Sequence, residues 1–388
     1  MISMSISKLK KTIREYSDVI ISRKYGTLFI VNYMKQQLYI QNNDVYDLYH
    51  LRSIICSSDI ESETSDFTIY SISPSKSLPY YTFCERYPQI TENIIVEEFI
   101  EGTMINVFWD ETKWNISTKS NIGAKSNFFG LKTFDIMFEE ACKSCNLDIQ
   151  LLEKNNCYSF VLQHPENRIV TAFSSPLLWL IEAYHISRDT DTIYSLNTRS
   201  LLKSHPAFNL TSIRTPQTFN TFLNYQQIYT YFTDKTTPYQ VMGVVLRNNI
   251  ENCRTKIRNP NYESIRKLRG NQPKLQYHFY ELLPKNQIEI FLAYYPEYIS
   301  EFQHFQKEII EFVNKLYNFY VECYIRKVKP LSEYPTQYKK HLFKLHDKYK
   351  TQLKPYGKHI TLQETIYYFY LQHPSIIMWS INYQKYQK

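Results

Sequence analysis

Seven glycines in 388 residues leave this chain few places where its backbone can reverse sharply or pass close to another strand. Three of them, Gly102, Gly123 and Gly130, fall within residues 94–130, IIVEEFIEGTMINVFWDETKWNISTKSNIGAKSNFFG. In that stretch two β-rich runs, IIVEEF and TMINVFWD, are separated by Ile100-Glu101-Gly102, and WNISTKS reads as a third strand paired back through a turn at Asp110–Lys113. The rest of the chain is expected to be arranged around this segment.

A composition of 43% apolar and 21% charged residues is globular, and the length suffices for two ordinary cores. The start, MISMSISKLKKTIREYSD, lacks the apolar core of a secretory signal, and no run approaches the ~18 apolar residues of a membrane span. Seven cysteines, an odd number scattered over the chain, suit free thiols in a reducing compartment. A soluble, intracellular protein is expected, with no membrane partner. The net charge of +8 is divided unevenly: residues 261–388 hold 19 Lys/Arg and 11 Asp/Glu, so the first 260 balance at 26 each. That asymmetry points to a polyanion partner for the C-terminal third, nucleic acid ahead of a membrane surface.

In order, residues 1–15 carry helical periodicity, and YGTLFIVNYM and QLYIQN read as two paired strands. LRSIICSS at 51–58 is a strand, and a loop at Pro74-Ser75-Lys76-Ser77 ends the next. Residues 131–154 have a helical pattern, and strands are expected at 157–164, 168–173, 177–186, 239–248 and 253–259. Two short helices fall between 187 and 240. From Pro260 the pattern is helical, including one long run from Ile288 to Val328. The layout is α+β with antiparallel sheets over residues 1–260, then a basic all-helical domain over 261–388.

Several groups are candidates for chemistry. Glu101-Gly102-Thr103 sets a carboxylate and a hydroxyl at a sheet mouth, suited to a ribose or phosphate, or to an ordinary turn. The loop QHPENRIV clamps His164, Glu166, Asn167 and Arg168 between apolar runs. Lys256 and Arg258, two apart on a strand, leave from one face and suit a phosphate clamp, with Lys119 and Lys125 adding to the same field. Cys142 and Cys145 have zinc-type spacing that Cys157 and His164 would complete, but an amphipathic helix explains the first pair better, and no metal site is assigned. Arg266, Lys267, Arg269 and Lys274 flank a Gly270-Asn271 turn and read equally as a nucleic-acid rim or a plain helix surface.

Over residues 50–275 the order of these segments resembles the covalent nucleotidyltransferases, in particular phage-type RNA ligases and RNA-ligase-like proteins of large cytoplasmic DNA viruses. The resemblance rests on Arg52-Ser53-Ile54-Ile55, Lys76 in its Pro-containing loop, Phe99-Ile100-Glu101-Gly102, Phe160-Val161 with Pro165-Glu166-Asn167-Arg168-Ile169-Val170, Met242-Gly243-Val244-Val245, and Lys256-Ile257-Arg258. The family's nucleophile motif is Lys-x-Asp-Gly, so Phe99 stands at the lysine, and no Phe attacks a phosphate. Val161 and Met242 stand where the family has carboxylates on the metal side.

The resemblance implies a ligase-like fold, phosphate contacts from Arg52, Lys76, Lys119, Lys256 and Arg258, a ribose contact from Glu101, ordering of the site by Arg168, and glycines at 102 and 243. It implies ATP and Mg²⁺ as the ligands to test, RNA or DNA as partner, and the cytoplasm of a virus-infected cell as location. The selective loss of the nucleophile and metal-side carboxylates favours a non-catalytic protein that binds a nucleotide or RNA end, in RNA repair or processing. Two alternatives remain open: an active RNA ligase or capping-type transferase with a displaced lysine, Lys119 or Lys125, and a structural or assembly protein that reuses the cleft.

Overall fold

The computed structural model describes residues 3–36, 46–57 and 67–387. The chain divides into two compact units, Met1–Lys267 and Leu268–Lys388. The boundary lies inside a helix, seven residues beyond the break expected at Pro260, because the first turns of that helix continue directly from the last strand of the N-terminal unit.

Three antiparallel sheets build the first unit. A six-stranded sheet has the order β1 (Ser3–Ser5), β11 (Thr192–Ser195), β10 (Leu177–Ser187), β9 (Asn156–Gln163), β7 (Thr103–Trp109) and β8 (Trp114–Ser117). A three-stranded sheet has β13 (Arg254–Arg258), β12 (Gly243–Asn248) and β6 (Ile94–Glu98), and a four-stranded sheet runs β2 (Ile20–Tyr25), β3 (Leu28–Tyr33), β4 (Arg52–Ser57), β5 (Ile69–Ser71). Helix α1 (Ile6–Glu15) buries Ile6, Leu9 and Ile13, and its N-cap Ser5 accepts from Lys8 N. Asp191 locks that entry by accepting from Ser5 Oγ at 2.6 Å and from Ser7 N at 2.9 Å. The short helices α2 (Tyr46–His50) and α3 (Tyr80–Arg86) flank the four- and three-stranded sheets. Helix α4 (Phe134–Cys145) lays Phe134, Met137, Phe138 and Ala141 on the six-stranded sheet and ends at Asn146, left-handed at φ 58°. Helices α5 (Thr198–Ser204), α6 (Tyr225–Thr233) and α7 (Pro260–Arg269) complete the unit.

Two sequence expectations fail here for identifiable reasons, and a third, the pairing of YGTLFIVNYM with QLYIQN, falls partly outside the described residues. The run at 25–34 is one arm of a hairpin with β2, turned through Gly26-Thr27, so β3 pairs with Ile20–Tyr25 on one side and β4 on the other. The QLYIQN strand lies outside the described residues. The runs at 94–98 and 103–109 are not neighbours: β6 pairs with β12, and β7 with β8 and β9, so Phe99–Gly102 is a crossing from one sheet to another. Residues 168–173 are a loop, because Val170 N and Thr171 N donate to the Glu101 carboxylate (2.7 and 3.2 Å) in place of a ladder.

In the second unit, helix α8 (Leu275–Leu282) is followed by α9 (Ile288–Tyr294) and α10 (Ile299–Tyr320). Pro296 divides the run expected to be continuous, since its ring and missing N–H end the first helix, and the second finishes in a π turn at Val321–Ile325. Helices α11 (Thr336–Lys348), α12 (Leu362–Tyr370) and α13 (Pro374–Asn382) close on α10. Phe312 of α10 stacks on Tyr338 and Phe369 at 4.4 and 4.8 Å between centroids. His341 is buried between Tyr368 Oη (3.1 Å) and Ser380 Oγ (2.9 Å), and burial holds it neutral, at about 4. No helix among the described residues is long and apolar enough to cross a membrane.

Gly102, in the crossing, and Gly243, at the start of β12, admit no side chain. Gly102 sits at φ +146°, where a Cβ would lie 2.5 Å from Leu162 O, and Gly243 at φ +136°, where a Cβ would lie 2.1 Å from Ile257 O. Gly26, at φ +62°, faces open space. Gly102→Ala and Gly243→Ala should each destabilise the N-terminal unit by about 3 kcal/mol or more, from backbone strain plus a clash with a ladder carbonyl, and Gly26→Ala by about 1 kcal/mol from strain alone. Urea unfolding of the three variants measures that ordering.

Candidate nucleotide and phosphate site

The crossing at Phe99–Gly102 opens onto a cleft of about 560 Å³ in the N-terminal unit, within the roughly 300–1,000 Å³ usual for small-ligand sites. Its walls come from all three sheets. The six-stranded sheet supplies Met104, Val161 and Ile181, the three-stranded sheet Glu97, Glu98, Val245, Arg254, Lys256 and Arg258, and β4 supplies Arg52. The loop after β5 adds Lys76, and the loop after β8 adds Thr118, Lys119 and Ser120.

Six cations, Arg52, Lys76, Lys119, Arg254, Lys256 and Arg258, line this cleft with only Glu97 and Glu98 as carboxylates. Backbone carbonyls hold several of them. Arg52 Nη1 donates to Pro74 O (3.2 Å), Arg254 Nε to Ser75 O (2.7 Å) and Lys76 Nζ to Ser77 O (3.2 Å). The loop that the sequence marks with Pro and Ser is therefore a bracket for positive charge. Carbonyl dipoles orient a cation without neutralising it, so the positive field remains for a ligand.

Burial and mutual repulsion both disfavour the charged forms here. Burial, then the neighbouring Arg52, lowers Arg254 to about 10. Burial lowers Lys119 to about 8, with Arg52, Lys35 and Lys76 adding to it. Lys256 is lowered furthest, to about 7, first by burial and then by Arg258, Arg254, Lys76 and Arg52. Among the described residues no carboxylate lies within ion-pair distance of Lys256. Its amine and the Arg258 guanidinium each lie 5.5 Å from the centroid of the Phe99 ring, which offers only a weak attraction for cations.

Beneath the cations lies a buried ion cluster. Arg247 pairs closely with Glu182 through Nη1 and approaches Glu97 Oε2 at 3.9 Å through Nη2. Glu182 belongs to the six-stranded sheet, Arg247 and Glu97 to the three-stranded one, so the cluster ties two walls together. Burial pushes the Glu182 carboxyl up against the opposing pull of Arg247, while Glu182 raises Arg247.

Of the residues expected at a site, Arg52, Lys76, Phe99, Gly102, Lys119, Lys256 and Arg258 line the cleft. Glu101 does not: its buried carboxylate accepts from Val170 N and Thr171 N, so it fixes the 168–173 loop. Arg168 is outside the lining too, its Nε donating to Val170 O (3.0 Å) on the same loop. Lys125 is exposed and outside the lining, and Gly243 acts through backbone packing on β13 beside Met242. Arg258 also pairs with Glu263. The residues grouped as one rim separate: Arg266 pairs with Glu263 (3.1 Å), Lys267 ends the first unit, and Lys274 is exposed in the second. Arg269 is buried, its guanidinium 5.4 and 5.9 Å from the ring centroids of Tyr298 and Tyr295, and is no rim residue.

Arg254 is the cleft-lining cation that motif reading overlooks, although alternation along β13 places 254, 256 and 258 on one face. The donor set does not fit a divalent metal held by protein carboxylates. Val161 and Met242 line the cleft where the resemblance puts carboxylates, and Glu97 already approaches Arg247. A separate cluster, Glu140, His164 and Glu166, has its ligand atoms within 4.8 Å of one another. There the Lys132 ammonium already bridges Glu140 (2.9 Å) and Glu166 (2.5 Å), and His164 bonds Glu140 (2.8 Å), which fastens the 164–167 loop to α4. The cysteine and histidine set that would bind zinc is dispersed, Cys142 and Cys145 on α4 and Cys157 in a different hydrophobic cluster.

No family model matches the chain. A curated relative, described as an immediate-early protein ICP-46 homolog of Invertebrate iridescent virus 6, is 23% identical over 274 residues, covering 66% of this chain and 59% of the relative. The chain thus spans about three-fifths of that relative's length. Among solved structures, a mutant Naegleria gruberi RNA ligase with AMP and Mn aligns with 50% of this chain and 57% of its own at 13% identity and a TM-score of 0.38. An archaeal ATP-dependent RNA ligase aligns with 78% of this chain and 73% of its own at 10% identity and a TM-score of 0.38. The chain is similar to RNA ligases and to a viral protein.

Arg247→Met should destabilise the N-terminal unit by about 3–5 kcal/mol at pH 7, because it leaves Glu182 buried without its partner. The double variant Arg247→Met/Glu182→Leu should recover most of that loss, and a urea-unfolding double-mutant cycle reads the coupling.

Proposed function

We propose that the cleft binds the phosphates of a nucleoside triphosphate or of a phosphorylated RNA end, and that the protein acts in RNA repair or processing as an RNA-ligase-like binder without a covalent step at Phe99. The observation that carries this reading is the set of six cations lining one cleft with two carboxylates, only Arg258 of the six pairing closely with a carboxylate, Glu263, among the described residues. Two of them are guanidiniums held by loop carbonyls, Arg52 and Arg254, which suit bidentate contact with phosphate oxygens. A polyphosphate entering the cleft favours the charged forms of Lys119 and Lys256, which burial and then neighbouring cations depress, so binding takes up protons.

The sign of the pH dependence follows. Below pH 7 Lys256 is already protonated and the anion meets full charge; between pH 7 and 9 binding must protonate Lys256 and Lys119, so affinity falls. Titration calorimetry with ATP should show affinity decreasing through that window by up to about tenfold per pH unit for each proton taken up. Lys256→Arg should keep the binding and flatten its dependence near pH 7. Arg254→Ala should weaken ATP by about 10- to 100-fold, the equivalent of one or two charge-assisted hydrogen bonds. Equal affinity at pH 6.5 and 9, or an unaffected Arg254→Ala variant, would remove the basis for a phosphate cleft.

A second reading, a nucleotidyltransferase with a displaced lysine, is favoured by one observation. Lys256 is the cleft amine with the largest neutral fraction near pH 7, and it adjoins Phe99, where the resemblance expects the nucleophile. Of the lysines considered from the sequence, Lys125 is outside the lining, and Lys119 Nζ lies 3.4 Å from Tyr33 Oη. The amine would form a P–N bond to the α-phosphate as the bond to pyrophosphate breaks. Incubation with α-labelled ATP or GTP discriminates: an alkali-stable, acid-labile label lost in Lys256→Arg establishes the transferase, and a protein that binds ATP without acquiring label is the non-covalent binder.

A further inference from the structure

The positive charge of the second unit is concentrated in one short segment. Residues 326–359 hold ten Lys/Arg against Glu333 and Asp347, an excess equal to the +8 of the whole chain, while the rest of 261–388 balances at nine against nine. This segment comprises the loop after the π turn, helix α11, a second π turn at Tyr349–Leu353 and a single turn at Lys354–Tyr356. Lys340 and Lys344 on α11, and Lys350, Lys354 and Lys358 beyond it, are exposed. Among the described residues only Lys348 of the ten pairs with a carboxylate, that of Glu364.

Aromatic rings run through the same segment. Tyr324 stacks on His346 at 3.8 Å between centroids and 6° between planes, His346 on Tyr349 at 5.9 Å and 28°, and Tyr349 on His359 at 6.3 Å and 24°. The stack ends at His359, which is exposed, and Tyr356 and Phe343 are 79% and 62% exposed. Burial and the nearby Lys350 lower His346, so the ring inside the stack is neutral and its π face is preserved. Planar rings interleaved with unpaired lysines match the two needs of an unpaired polynucleotide, flat surfaces for bases and cations for the backbone. Val328 and Phe343 are exposed in the same segment, but the exposed end of the stack is an imidazole, which suits a base face better than an acyl chain.

We infer that residues 326–359 form a docking surface for single-stranded nucleic acid, with Lys350, Lys354 and Lys358 following the phosphates and His359 and Tyr356 stacking bases. The surface lies wholly within the second unit and does not rest on the reading of the cleft. Contact with bases through their faces makes it tolerant of sequence, and RNA and DNA share the chemistry it uses.

The test is fluorescence anisotropy on the full chain with labelled 15-nucleotide RNA and DNA strands lacking a 5′-phosphate, at several salt concentrations. Wild type should bind with a log Kd that rises steeply with log salt. Lys350→Glu/Lys354→Glu/Lys358→Glu should weaken binding by at least 30-fold, and the milder Lys→Gln triple variant should reduce the salt slope by about 2, at about 0.7 per phosphate contact. His359→Ala and Tyr356→Ala should each weaken binding about 5- to 10-fold with the slope unchanged. Lys113→Gln, at an exposed lysine of the N-terminal unit outside the cleft lining, should bind these strands as wild type does. Preference for the RNA strand would assign contacts to the 2′-hydroxyl, and equal affinity would assign the surface to backbone and base faces alone; both support docking. The inference is overturned if variants that keep the wild-type melting temperature also keep wild-type affinity for the strands. It is equally overturned if phosphatidylserine vesicles bind the chain and the strands do not. Loss of ATP binding in the cleft with strand binding intact would remove the cleft reading and leave this one standing.

Discussion

The cleft depends on a buried ion cluster that joins two of its walls. Arg247 lies between Glu182 and Glu97 and fastens the three-stranded sheet to the six-stranded one. Because it is paired, it supports the walls without drawing on the ligand field. Just above it, Arg52, Arg254 and Lys76 are steadied by backbone carbonyls, which orient a cation but leave its charge in place. The result is a site rich in positive charge, and the lowered values of Lys119 and Lys256 record first their burial and then the repulsion of neighbouring cations.

Phe99 acquires a physical role in this arrangement. It stands at the crossing between two sheets, with Gly102 three residues on allowing the backbone to pass against Leu162 O. Its ring faces Lys256 and Arg258 at 5.5 Å each, so the position that the resemblance reserves for a lysine is filled by an apolar side chain that two cations can approach. A lysine there would place one more positive charge in a cleft that already carries six cations. The absence of a lysine at 99 and the low value of Lys256 are thus two aspects of one electrostatic arrangement.

Much of the site is legible along the chain, because several of the cations that line the cleft sit on regular strands or at their ends. Alternation in CRTKIRN places Lys256 and Arg258 on one face, and the same alternation includes Arg254, which motif matching overlooks. Glu101 shows the limit of that approach. Its neighbours in sequence suggest a sheet mouth, but its carboxylate is consumed by two backbone N–H groups of a loop some 70 residues away, a partner no local pattern encodes. Arg269 fails likewise: a basic helix surface in sequence, it is buried against Tyr295 and Tyr298 once the helices of the second unit close.

The sequence by itself determined the α+β class, the change to helices after residue 260, the strands expected at TMINVFWD, 157–164, 177–186, 239–248 and 253–259, and the concentration of charge toward the C-terminal end. Each of these follows from local periodicity, from Pro and Gly placement, or from simple counting. Only the tertiary structure decided which strands pair, that β6 and β7 belong to different sheets, and which of the conspicuous charged residues face the cleft. Those outcomes depend on contacts between residues tens to hundreds of positions apart, where burial and the search of each N–H and carboxylate for a partner override any local pattern.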